Sequence, residues 1–586
     1  MKTSEEQDKM SRRKFMAWMG GAAGVATLAS MGIPTHWEEN EVKIDVNIIP
    51  LQQKETDVLV IGGGMAGLFA AVKAHDAGAR VMMVSKGRLG SSGQTPFAKG
   101  MFVYDPDKEK LSLDDFVAAV SRSAMNSNNA TYTRQMAEHS LERINELKEW
   151  GFFESPIYNK AFSKPITERN IPIIERVVIT HLIKENERIA GAAGFGLDKE
   201  NIQVFKAKSV ILCTGAGGFK PNGFPICDLT HDGTAMAYRI GAKVTGKEWN
   251  DGHSGMATNA ADCYDGWHGM FDRKPGLTSV EIHHDLGVDM NYIAYMKGGP
   301  LEMGPPQKGN GEQIIGGPFI PEEFKRNGHS ERPKDEKGER PGGRPDRKPP
   351  REGGAPPGMA GAITGGSSAG MSIHKSEGLV PINDQCESTI PGLYAAGDAL
   401  GSYMAGAIYT QVGSSLTGSA VQGAIAAEAA ADYCQQVEMV NIPQLKLDEI
   451  QSEIVAPLKR TSGYGPAWVT QTLQGIMIPN FVLYIKKESM LKAALAYIEE
   501  LRDHHLPMLK AADMHELRLA HETANMILTA EMKLKASLLR KESRLSHFRL
   551  DYPEIDNENW QAWINIYQDT DGEMQFEKQD FGSWPV

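Results

Sequence analysis

At 586 residues the chain is long enough for roughly two to four separate cores. Its 74 acidic residues against 62 basic ones leave a net charge of −12, which excludes the basic footprint of a nucleic-acid binder. The five cysteines, Cys213, Cys227, Cys263, Cys386 and Cys434, are scattered singly, without CxxC, CxxCH or a four-cysteine cluster. Haem attachment, iron–sulfur ligation, a metal site and a disulfide framework are therefore not expected.

In chain order, Ser11-Arg12-Arg13-Lys14-Phe15-Met16 precedes a mildly apolar, glycine- and alanine-rich run from Ala17 to Ile33. An arginine pair directly ahead of such a run resembles a twin-arginine export signal, here residues 1–34. The resemblance implies export of a folded protein to the periplasm or the outer face of the cytoplasmic membrane. A basic tail followed by a short helix is the plainer alternative. The run holds too much Gly, Ser and Thr for a membrane span, and it shows no clean A-x-A cleavage site, so an uncleaved anchor stays open. Residues 35–54 read as a polar linker, with the fold starting near Glu55.

Thr56–Gly67, TDVLVIGGGMAG, organises the rest of the chain. A short apolar run, Val58 to Ile61, ends in Gly62, Gly64 and Gly67, and Leu68–Ala77 reads as a helix. This strand–glycine turn–helix context suits a dinucleotide. Gly62 permits the tight turn, Gly64 lets a pyrophosphate approach the backbone, and Gly67 lets the helix pack close to the strand. The N–H groups around Met65 and Ala66 then face the phosphates. Arg80–Ser85 reads as a second buried strand followed by Lys86. It ends in Ser85, where the generic fingerprint has an acidic residue for the ribose hydroxyls.

Ser85-Lys86, then Gly93-Gln94-Thr95 and Ala98-Lys99-Gly100, resembles the flavoprotein subunits of succinate dehydrogenase and fumarate reductase. Those carry Ser-Lys here, followed by an S-H-T-x-x-A-Q-G-G loop beneath the isoalloxazine. The resemblance implies FAD, and Gln94 stands where the membrane-bound members attach it covalently through His. An amide cannot form that bond, so a non-covalent FAD is expected. Residues 114–150 are helical by pattern and Val177–Gly194 alternates like a hairpin. Lys208–Gly218, with Thr214 and Gly215 in its turn, resembles the ATGG segment of two-dinucleotide-binding flavoproteins. His231-Asp232-Gly233-Thr234 and the helix after it resemble GDGMAMALRAGA, which places Asp232 near the flavin. In Pro391–Asp398, PGLYAAGD, a strand ends at Gly397 and the Asp398 carboxylate can accept hydrogen bonds from ribityl hydroxyls. Ser414-Ser415-Leu416 opens a long alanine-rich helix whose N–H groups would face the flavin pyrimidine carbonyls.

The substrate side departs further from the resemblance. Glu248–His253 stands where the family has E-F-x-Q-F-H, so His253 is the expected contact for a substrate carboxylate. In place of H-G-x-N-R-L-G-G-N-S-L the chain has Met404–Leu416, with Thr410 at the arginine position and Tyr409 beside it. A guanidinium is the natural clamp for a dicarboxylate. Its absence turns the expectation from fumarate to a less charged or aromatic substrate, with Tyr409 as hydrogen-bond or proton donor. Residues 254–360 are the expected capping domain, with a solvated loop over 325–351. Arg273, His268, His283 and His284 are its open choices for a proton donor. Leu445–Leu539 is mostly helical by period. It leads into Arg540–Pro553, which resembles R-x-E-S-R-G-x-H-x-R-x-D-x-P of succinate dehydrogenase and aspartate oxidase flavoproteins. That puts Arg544 either at the active site or in a salt-bridged hinge. Asn559–Trp563 and Phe581–Pro585 read as surface strand or tail.

The expected architecture is α/β: a Rossmann-like FAD-binding domain of the two-dinucleotide-binding type, in two parts over 55–253 and 361–435. An α+β cap is inserted over 254–360 and a helical domain follows over 436–586. The expected activity is reduction of an activated C=C bond, with electrons from a separate cytochrome, iron–sulfur protein or quinol-linked partner. No nucleic acid is expected, and a membrane only through signal or partner. The alternatives are an oxidase or dehydrogenase of a small amine, alcohol or acid, and an electron-transfer subunit without its own substrate.

Overall fold

The computed structural model describes residues 49–97, 100–109, 111–154, 158–220, 226, 228–250, 375–407, 413–478, 480–483 and 485–584, with short strands at Gly255–Met256, Gly276–Thr278, Leu301–Glu302 and Ala362–Thr364. The expected signal over 1–34 and nearly all of the cap lie outside these residues.

Strand β1, Leu51–Ile61, is the axis of the main sheet. It begins inside the segment expected to be linker, because Leu51 already pairs with Ile202. Its apolar end, Val58 to Ile61, is buried on both faces and runs parallel to β2, Val81–Ser85. Helix α1, Met65–Asp76, is the crossover between them. Beyond β2 lies β3, Ile173–Glu175. On the other side of β1, the hairpin β4, Val177–Glu185, and β5, Arg188–Gly196, leads into β6, Ile202–Leu212. The whole length of β6 runs parallel to β1. The N-terminal half of β6 carries β5 on its free edge, and its C-terminal half carries a short parallel strand, Leu393–Ala395. Four parallel strands, β1, β2, β6 and Leu393–Ala395, thus end in Gly62, Lys86, Cys213 and Ala396 along one carboxyl edge, the position at which open α/β sheets bind ligands. The expected α/β class and hairpin are both found, and the 114–150 segment forms two helices, Leu113–Ser123 and Ala130–Glu149.

Helix α2, Asp232–Arg239, follows β6, and the 23-residue helix α3, Ser414–Gln436, packs across α1. The C-terminal region contains α4, Glu488–Glu500, against the long α5, Met514–Leu539. Its end differs from the expected tail. Ala562–Gln568 is a largely buried strand, with Trp563 only 3% exposed, paired antiparallel to Met574–Asp580 and to Val244–Thr245 of the flavin-binding part. Ile564 and Ile566 on one face and Trp563 on the other are buried, which carries this strand into the core, and a run this short is hard to separate from a surface edge by sequence.

Gly62 and Gly67 fix the top of β1. Gly62 has φ +121°, and a Cβ there would lie 2.1 Å from the Cys213 carbonyl oxygen. A Cβ on Gly67 would lie 1.9 Å from the Gly62 carbonyl oxygen, so only glycine allows α1 this close to its strand. Gly67→Ala is expected to cost about 1–3 kcal/mol through this overpacking. Gly475→Ala, in open space on a helix, should instead gain about 0.5–1 kcal/mol. Urea unfolding midpoints of the two variants check the contrast.

Candidate flavin site

The carboxyl edge of the sheet opens into a cleft. Gly62, Gly64, Met65 and Ala66 form its floor, Ser85 and Lys86 one wall, and Gly93, Gln94 and Thr95 its rim. Thr214, Gly215 and Asp232 contribute from β6 and α2, and Gly397 and Asp398 close the far side. Most residues expected to hold a cofactor are therefore brought together, from segments more than 300 positions apart in sequence.

The remainder stand elsewhere. Gly67 backs the turn rather than facing the cleft. Gly100 begins the strand Gly100–Phe102, beside Gly276–Thr278, and does not line the cleft. Ser414, Ser415 and Leu416 open α3 as expected, but the residue of that helix lining the cleft is Ser419. Leu416 packs in the core. Ala98, His253 and Tyr409 lie outside the described residues.

Two orphaned hydroxyls test whether the cleft suits FAD. Thr214 Oγ1 lines it and is buried without a hydrogen-bond partner, and Ser415 Oγ, four residues and thus one turn before Ser419, is likewise unpaired. Buried hydroxyls are normally satisfied, so Thr214 is available to a polar ligand in the cleft, whereas Ser415 does not line it. The Thr95 hydroxyl accepts the Met65 N–H at 3.2 Å, which occupies one of the free donors of α1. Asp228 accepts the Gly93 N–H at 2.9 Å and holds the rim. The glycine floor, the α1 N-terminus and the Thr214 hydroxyl match a dinucleotide's phosphates and ribityl chain.

Charge in the cleft is paired in two places. Lys86 Nζ donates to Asp232 at 2.7 Å and to Glu522 of α5 at 2.8 Å. Burial pushes the Asp232 and Glu522 carboxyls up, but Lys86 outweighs it, helped by Asn525 and Thr230 at Asp232 and by Lys220 at Glu522. Both are held below the ordinary carboxylate range. On the far side Asp398 is bonded to Lys375 Nζ at 2.5 Å. Neither Lys375 nor Glu522 is marked by any sequence motif, since each meets its partner only through tertiary packing.

Behind the cleft, the C-terminal region grips the backbone that leads to His253. Lys533 Nζ donates to the Lys247 and Trp249 carbonyls, both at 3.1 Å. Lys486 Nζ donates to the Glu248 carbonyl at 2.5 Å, and Arg540 donates twice to the Glu248 carboxylate, at 2.9 and 3.1 Å. Arg544 is placed in this lock and not in the cleft. Its guanidinium makes a bidentate pair with Glu542, at 2.8 and 3.0 Å, and a bond to Asn557 at 2.8 Å. Arg544 is 2% exposed, and these partners all lie within the C-terminal region. Leu545 beside it has φ +48°, where the resembling motif has glycine.

A family profile described as the FAD binding domain matches residues 57–157, and one described as the fumarate reductase flavoprotein C-term matches residues 470–585. An uncharacterized FAD-dependent oxidoreductase of Methanocaldococcus jannaschii is 26% identical over 589 residues, covering 90% of this chain and 98% of that protein. A fumarate reductase (CoM/CoB) subunit of Methanothermobacter marburgensis is 24% identical over 572 residues, covering 87% and 96%. Among solved structures, E. coli quinol fumarate reductase superposes with TM-score 0.67 at 16% identity, covering 90% of this chain and 97% of that one, a likeness of fold. The chain is an FAD-dependent oxidoreductase. It is similar to the flavoproteins of fumarate reductase in its FAD-binding and C-terminal segments.

Lys86→Met leaves two buried carboxylates without their shared cation and is expected to cost about 3–5 kcal/mol at neutral pH. Because both carboxyls titrate lower in the folded state than in the unfolded one, their contribution is complete above the unfolded values, about pH 4–5. It is lost as pH falls through the depressed folded values. Unfolding midpoints measured from pH 7 downwards should show the acid-side loss in the wild type and a smaller one in Lys86→Met.

Proposed function

We propose that the protein is an exported reductase of an activated C=C bond, acting on a 2-enoate other than fumarate with electrons from a separate redox partner. The observation that carries this reading is Thr410 at the position of the family's substrate-clamping arginine. Without a guanidinium the site lacks the bidentate anchor that a second carboxylate needs. The acrylate reductase flavoprotein subunit of Shewanella woodyi, 32% identical over 145 residues, is named for a monocarboxylate of this kind.

Bound FAD supplies a hydride donor and acceptor. The chain's own residues do the rest. Gly62–Ala66 would hold the pyrophosphate, Thr214 and Asp398 would take polar groups of the cofactor, and Gln94, at the rim of the cleft, would form no covalent bond to it. Lys486, Lys533 and Arg540 fix the backbone of residues 247–249, and His253 is the residue assigned to the substrate carboxylate. Tyr409 donates a hydrogen bond or the proton that the substrate carbon needs.

A second reading, oxidation of a small amine, alcohol or acid, is favoured by relatives named L-aspartate oxidase. L-aspartate oxidase of Streptomyces coelicolor is 23% identical and spans 90% of this chain. Among the described residues no helix is long and apolar enough to cross a membrane. Export is proposed from Arg12, Arg13 and the run after them.

Anaerobic reduction of the holoprotein with a viologen donor, followed by a panel of 2-enoates, separates the readings. Rapid oxidation by a monocarboxylate or aromatic acceptor and slow oxidation by fumarate is the expected result. Fast turnover of an amine or alcohol with oxygen, and none of the enoates, would favour the oxidase. For export, residues 1–34 fused to a folded reporter should carry it out of the cytoplasm, and Arg12→Lys with Arg13→Lys should retain it there.

A further inference from the structure

Lys375 is a cation built into the wall of the flavin cleft. It is 1% exposed, and its Nζ donates to Asp398 Oδ1 at 2.5 Å and to Ser419 Oγ at 3.0 Å. Both acceptors line the cleft, whereas Lys375 itself stands one layer behind them. Its backbone is held in the left-handed region, φ +63°, where a lysine is strained. The Tyr403 N–H donates to the Lys375 carbonyl at 2.7 Å and keeps it there. Such strain persists only where the surroundings enforce it, and here it aims the side chain at the cleft. Two residues on, Glu377 turns the other way and pairs with Lys247 and Lys533, so the two buried charge clusters remain separate. Burial pushes the Lys375 ammonium down, against the opposing pull of Asp398.

A carboxylate facing a redox cofactor matters because the cofactor gains negative charge on reduction. An uncompensated Asp398 would oppose that charge in a poorly solvated cleft. We propose that Lys375 is a charge-compensating positioning residue of the flavin site, acting through Asp398 and Ser419 to favour binding of reduced over oxidised FAD. Asp398 keeps its acceptor capacity for ribityl hydroxyls while its charge is cancelled from behind. The inference concerns the cofactor alone and holds whichever acceptor the protein reduces.

The test is a spectroelectrochemical titration of the FAD-loaded full-length protein, with fluorescence titration for the dissociation constant of oxidised FAD. Lys375→Met should weaken binding of reduced FAD about tenfold relative to oxidised, a shift of about 30 mV to more negative potential for a two-electron couple. Asp398→Asn should move it the opposite way, and Lys375→Met with Asp398→Asn should return it near the wild-type value. Lys375→Arg, which keeps the charge, should stay near wild type. An unchanged or more positive potential in Lys375→Met would overturn the proposal, as would a double variant that behaves like Lys375→Met alone. If Lys375→Met fails to retain flavin, the double variant decides. Recovered binding with a near-wild-type potential supports the charge role, and continued loss refutes it.

Discussion

The cleft depends on how closely two parallel strands and one helix approach at Gly62. The Cys213 carbonyl and the Gly62 carbonyl each lie where a side chain on the facing glycine would have to stand. Because β1 and β6 pair along their whole lengths, this contact fixes the ends of both strands in one register, and β2 and Leu393–Ala395 inherit it. Gly62, Lys86, Thr214 and Asp398 then face one space without any of them being near another in sequence. A sheet edge positions polar groups more rigidly than a loop could, because each strand end is anchored by its neighbours' hydrogen bonds.

The second organising feature is electrostatic and joins the C-terminal region to the flavin-binding part. Lysines and arginines, Lys486, Lys533 and Arg540, come from the C-terminal region, and their acceptors are the carbonyls and the carboxylate of residues 247–250. Fully buried pairs of this kind contribute little net stability over an apolar core, but a lone remaining partner is costly. Their effect here is geometric: three cations hold the short segment 247–250 in place. The hairpin Ala562–Asp580 adds a backbone pairing to Val244–Thr245 at the other end of the same segment.

Much of this was legible in the residues. Gly62, Gly67, Thr214, Asp232 and Gly397 carry local conformational requirements that a linear motif records, and the run Val58–Ile61 marks its strand by composition alone. The fold class and the order of the cofactor segments followed from them. Lys375, Glu522, Lys486 and Lys533 left no such mark, because a lysine in an ordinary helical or turn sequence reads as solvated until its partner is known. Arg544 shows the reverse case: the motif was plain, and its guanidinium is buried in a bidentate pair with Glu542 rather than lining the cleft. Ser419 was hidden for a geometric reason, since the helix opening at Ser414 turns its next coil, not its first, toward the cleft. The burial of the strand at Ala562 was missed because so short an apolar run reads alike on a surface edge and in a core.

The cleft offers FAD backbone and polar contacts, with Gln94 at a position where a histidine could form a covalent link. Acid precipitation of the purified holoprotein, with chromatography of the supernatant, tests this directly. Flavin released in full as intact FAD is the predicted result. Flavin that stays with the precipitated polypeptide, or a supernatant holding another cofactor, would contradict it.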